Sequence, residues 1–84
     1  MRWTVVWNGV ALNRLADVWT NAPDRSAVTA AASQVDVILG TDPDTKGEEF
    51  YGDRLLVVEP LHVTFTVSPD DRQVTVLDVW RVGP

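Results

Sequence analysis

The stretch from Gly52 to Arg81 most constrains what this chain can become. It opens with Gly52-Asp53-Arg54 and an apolar run, Leu55 to Val58, broken by Glu59-Pro60. Proline cannot donate to a strand ladder, so this pair marks a turn or bulge. Leu61, Val63, Phe65 and Val67 then alternate with His62, Thr64 and Thr66, the period of a half-buried strand. Ser68-Pro69-Asp70-Asp71-Arg72 is a turn signal. In the final segment Val74 and Val76 share one face, whereas Leu77 and Val79 share the other. That phase flip predicts a β-bulge near Leu77, or a strand buried on both sides. Three consecutive strands result, with Arg54 opening the first and Arg81 closing the last. Arginines at strand ends can bind phosphate or an acidic partner, or can simply terminate a plain meander.

The first half has a different period. Trp3, Val5 and Trp7 fall on one face of a strand, and Arg2, Thr4 and Val6 on the other. Asn8 is a suitable N-cap for a helix over about Gly9 to Thr20, with Leu12, Leu15, Ala16 and Trp19 at helical spacing. Asn21-Ala22-Pro23 ends it, and Asp24 is positioned to cap a second helix. That helix carries an apolar stripe of Ala27, Val28, Ala31, Ala32, Val35, Ile38 and Leu39, whose small residues predict close packing in an antiparallel helical hairpin. Gly40 is placed as its left-handed C-terminal residue. Residues Thr41 to Tyr51 read as one loop. The predicted order is β, α, α, β, β, β, an α+β layer with the helical hairpin on one face of a small antiparallel-rich sheet.

The 84 residues predict a single domain over residues 1–84. Seven Lys and Arg against twelve Asp and Glu give a net charge of -5, which opposes tight non-specific nucleic-acid binding. The absence of cysteine excludes a disulfide framework and a thiolate zinc site. No secretory leader pattern follows Met1-Arg2, and no apolar run approaches the roughly 20 residues a bilayer requires. A cytoplasmic, membrane-free protein is the expectation. No metal motif, glycine-rich phosphate loop or nucleophile elbow is present, so no cofactor is expected.

The order and spacing of these pieces resemble the RelE/ParE superfamily of bacterial type II toxins. The resemblance runs through Val5-Val6-Trp7, then Ala11, Leu15 and Trp19. It continues in Asp24-Arg25, Ile38-Leu39 before Asp42-Pro43, Gly52-Asp53-Arg54-Leu55-Leu56-Val57-Val58, Pro60-Leu61-His62-Val63-Thr64-Phe65 and Asp70-Asp71-Arg72-Gln73-Val74-Thr75-Val76. It implies a growth-inhibiting toxin neutralised by a cognate antitoxin. The target implied is the ribosome and its mRNA in RelE-type members, or DNA gyrase in ParE-type members. The resemblance also matches Arg54 and Arg81 to the basic residues that bind the scissile phosphate in the nucleases, a role suited to bidentate guanidinium contacts.

Three departures from the nuclease pattern shift the expectation toward action by binding. Basic residues are not clustered around the predicted sheet, the sequence ends at Pro84 without a C-terminal tyrosine or histidine segment, and the chain is acidic. A ribosome-dependent endoribonuclease and a non-toxic, degenerate interaction module remain as alternatives. The negative charge predicts an antitoxin segment that is less acidic than usual, or one whose contacts are mainly apolar.

Individual residues carry a second reading beside the functional one. Arg54 can pair with Asp53 or Glu59, and Arg81 can be the polar end of its strand. Trp80, Arg72 and Tyr51 are candidate partner-binding residues, since tryptophan and arginine anchor interfaces. Arg72 is equally a solvated turn charge, and Tyr51 a residue packed on the sheet edge. His62, the sole histidine, reads as an exposed strand residue more readily than as a general base. Trp3, Trp7 and Trp19 are most simply core.

Overall fold

Trp3, Val5 and Trp7 pack toward the core while Thr4 and Val6 are exposed, as the alternation predicts. In the computed structural model, which describes residues 2–81, this strand is β1 (Thr4–Trp7). It is followed by α1 (Gly9–Asn21), α2 (Arg25–Thr41), a 3₁₀ turn (Pro43–Thr45), β2 (Glu48–Phe50), β3 (Asp53–Val58), β4 (Leu61–Ser68) and β5 (Gln73–Arg81). Asn8 caps α1 as expected, its side-chain oxygen accepting from the Ala11 amide at 2.8 Å.

The five strands form one sheet in the order β1-β5-β4-β3-β2. β2 to β5 run as an antiparallel meander, and β1 joins at the edge, parallel to β5. The extra strand, β2, lies inside the segment expected to be a single loop. It turns back through Tyr51 and Gly52, both at positive φ (50° and 90°), the geometry of a two-residue type I′ hairpin. Gly47 just before β2 has φ 75°, and a Cβ there would lie 2.7 Å from the Leu55 carbonyl oxygen. Only glycine fits that approach.

The predicted bulge is present. Thr64 pairs with Asp78 and Phe65 with Val76, leaving Leu77 as the extra residue of β5. The insertion returns Val79 to the face of Val74 and Val76, and all three are fully buried. They meet Leu61, Val63 and Phe65 of β4, Val58 of β3, Ala11 of α1, and Val28, Ala31, Val35 and Leu39 of α2. Both helices thus serve one core on one face of the sheet. Among the described residues, no helix covers the other face.

Two helix ends differ from expectation. Gly40 lies within α2, which runs to Thr41, and its carbonyl accepts from the Trp3 amide at 2.8 Å. Asp24 occupies the N-cap position of α2 but makes no side-chain cap bond, because its carboxylate is drawn to β5.

Candidate functional site

Register places the two arginines. Arg54 stands opposite Phe65 and Arg81 opposite Leu61, so both share the helix-covered face. Phe65 and Leu61 are four residues apart along β4, and β3 and β5 flank that strand. At about 3.3 Å per residue and about 4.8 Å per strand spacing, the two backbones are roughly 16 Å apart. Arg54 donates from Nη1 to the Lys46 carbonyl at 3.0 Å. Arg81 grips Asp24 with both Nη atoms, at 2.7 and 3.2 Å. The structure therefore does not bring the pair to one point. Each ties a strand to the chain beside it, Arg54 holding the segment before β2 and Arg81 holding the start of α2.

Between the helices lies an apolar groove of about 520 Å³, lined by Trp7, Leu12, Leu15, Ala16, Trp19, Val28 and Ala32 among others. Leu12 is 53 % exposed and Trp19 42 %, so Trp19 is a groove wall rather than core. Its ring carries the Arg25 guanidinium 4.6 Å from the centroid, and its Nε1 donates to Thr29 Oγ1 at 3.1 Å. Trp7 Nε1 donates to Asp36 Oδ1 at 2.7 Å. With both indole N–H groups satisfied by the walls, the groove presents mainly hydrocarbon, suited to the apolar stripe of a helix or extended segment. Periodicity assigned Leu12, Leu15 and Trp19 to the buried side of α1. The available signal was the size mismatch, large residues on α1 facing alanine, serine and threonine on α2.

The remaining candidates fall on the uncovered sheet face and its rim. Trp80 stands opposite His62, with ring centroids 5.8 Å apart, and Phe50 approaches Trp80 at 6.2 Å. Tyr51, 93 % exposed at the hairpin tip, sits edge-on to Phe50 at 4.9 Å rather than packing down on the sheet edge. Arg72 lies apart in the β4–β5 turn, at φ 49°, and its carbonyl accepts from the Thr4 amide at 2.9 Å. Arg72 therefore helps to register β1 against β5. Among the described residues no cluster of three or more potential metal ligands exists, and no helix is long and apolar enough to cross a membrane.

No protein-family model and no curated protein matches the chain. Solved structures do match along its length. A chain of the RelBE2 toxin–antitoxin complex of Mycobacterium tuberculosis superposes with a TM-score of 0.79 at 17 % identity, over 98 % of this chain and 100 % of that one. A chain of the chromosomal ParDE system of P. aeruginosa gives 0.75 at 22 % identity, over 98 % of both. A chain of the intact RelBE complex of E. coli gives 0.66 at 11 % identity, over 98 % of this chain and 99 % of that one.

Proposed function

We propose that this chain, whose fold is that of the RelE/ParE superfamily, is the toxin component of a type II toxin–antitoxin system, held inactive by a cognate antitoxin and inhibiting growth by binding a cellular target. The observation that carries this reading is the end-to-end match, covering 98 % of the chain, to chains from three toxin–antitoxin complexes. The interhelical groove supports it, because an exposed apolar channel of this size on a small domain marks a partner site. An antitoxin segment would place its apolar side chains there.

The positions of Arg54 and Arg81 favour binding over phosphodiester cleavage as the mode of action. The nuclease role those residues resemble is contact with the scissile phosphate, and here Arg54 is engaged by the Lys46 carbonyl and Arg81 by Asp24, at positions four residues apart along β4. The target is then DNA gyrase or another protein rather than mRNA in the ribosome.

The test is induction from a tightly repressed promoter, with growth, protein synthesis and DNA synthesis followed by pulse labelling. A fall in DNA synthesis alone is the expected result. An immediate fall in protein synthesis with mRNA cut near ribosomes would restore the endoribonuclease reading. Unimpaired growth with folded, soluble protein present would identify a non-toxic module.

A further inference from the structure

The uncovered face of the sheet has a chemistry of its own. Residues opposite one another in register share a face, so Glu48, Leu55, Thr64 and Asp78 form one row across it, and Val57, His62 and Trp80 another. Phe50 and Asp53 belong to the same side. Strand twist and the Leu77 bulge curl the sheet toward this face, since Phe50 of edge strand β2 reaches Trp80 of β5 across two intervening strands. Thr64, in the row between them, is the one buried polar side chain described, at 7 % exposure. Phe50, His62 and Trp80 thus form an aromatic cluster on this face. Val57 beside it is 49 % exposed.

Its charge is one-sided. Arg54 and Arg81 are the only lysines or arginines carried by the described strands, and both lie on the helix-covered face. The uncovered face instead carries Glu48, Asp53 and Asp78, and of these Asp78 is neutralised by Arg14 at 3.4 Å. Glu48 and Asp53 therefore share this face with Phe50, while Arg54, next to Asp53 in β3, lies on the other face and donates to the Lys46 carbonyl. An aromatic ring with carboxylates at its edge attracts guanidinium and ammonium groups, through the ring quadrupole and through ordinary charge complementarity. The same arrangement repels the phosphates of a nucleic acid.

We infer that the uncovered sheet face docks a cationic segment of a protein partner, with an arginine or lysine stacked on Trp80, Glu48 and Asp53 pairing with its charges, and apolar side chains on Val57 and Phe50. The inference goes beyond the toxin reading and does not depend on it. The groove between the helices takes hydrocarbon, whereas this face selects positive charge.

The experiment uses the whole chain and a labelled synthetic peptide alternating arginine with leucine, beside a control in which glutamate replaces arginine. Binding is followed by fluorescence anisotropy and by the indole N–H resonances of the four tryptophans. The arginine peptide is expected to bind, to shift the Trp80 signal more than those of Trp7 and Trp19, and to weaken as NaCl rises from about 0.05 to about 0.5 M. Trp80→Ala is expected to reduce affinity about tenfold, as for a central interface anchor. If Trp80→Ala does not fold, the double charge reversal Glu48→Lys with Asp53→Lys decides instead; it alters two charges of the β2–β3 hairpin and is expected to abolish the salt-dependent part of binding. Equal binding of the glutamate peptide, a shift confined to Trp7 and Trp19, or affinity unchanged in the charge-reversed chain would each overturn the proposal. So would tighter binding of a short uridine-rich RNA on the same face. Growth inhibition is not the readout, so a failed toxin assay and a failed docking assay remain distinguishable.

Discussion

Breaking the Asp24–Arg81 pair should destabilise the fold by an amount the geometry allows to be worked out. The pair is bidentate, at 2.7 and 3.2 Å, with side-chain exposures of 20 % for Arg81 and 41 % for Asp24. Fully exposed pairs contribute about 0.2–1 kcal/mol, and hydrogen bonds to charged groups about 1.5–3 kcal/mol. A half-buried fork belongs between, at about 1.5 kcal/mol of coupling. For a domain of this size each kcal/mol moves Tm by about 4–8 °C, so Asp24→Ala should lower Tm by roughly 6–12 °C. Arg81→Met should regain part of the energy lost with the pair. It frees Asp24 to turn toward the first-turn amides of α2 and act as the cap it does not provide here, recovering about 0.5–1 kcal/mol. The assay is a double-mutant cycle on Asp24→Ala and Arg81→Met by urea denaturation, repeated in 1 M NaCl. Because Arg81→Met gains that cap bond, the apparent coupling is the pair less the cap, about 0.5–1 kcal/mol. A coupling below about 0.3 kcal/mol would refute the view that Asp24 holds Arg81 as a structural tie.

Other substitutions test the local arguments. Gly47→Ala should cost about 2–4 kcal/mol in urea denaturation, because it combines a positive φ with a Cβ 2.7 Å from the Leu55 carbonyl oxygen. Gly40→Ala should instead be neutral or stabilise by up to about 1 kcal/mol, since the nearest atoms to its Cβ lie at 3.6 and 3.8 Å and the residue is helical; a loss above about 1 kcal/mol would show that the α2–β1 contact tolerates no methyl group. Asn8→Ala should lose about 1 kcal/mol with the Ala11 cap bond, read as a lower thermal midpoint, while Asn8→Asp should retain most of it.

What could be read from the residues was what short-range physics decides. Trp3-Thr4-Val5-Val6-Trp7 alternates because one face of its strand is buried, and Asn8 caps because its amide sits three residues before the Ala11 N–H. The phase flip around Leu77 announced the bulge because burial of Val76 and Val79 on one face requires an extra residue between them. β2 was not legible. Three residues, Glu48-Glu49-Phe50, are too few to show a period, and their strand state depends on pairing with β3.

The same division runs through the sites. The sequence determined that Arg54 and Arg81 stand at strand ends, that Trp80 lies on the face opposite Leu77 and Val79, and that the first helix carries large apolar residues where the second carries small ones. Only the tertiary structure decided that the two arginines lie four residues apart along β4 and on separate partners, that Asp24 gives up its capping role to Arg81, and that Trp19 lines a groove. The physical reason is range. Periodicity and capping are fixed by neighbours a few residues away, whereas register, sheet curl and ion pairing 57 residues apart in sequence are fixed only when the whole core closes.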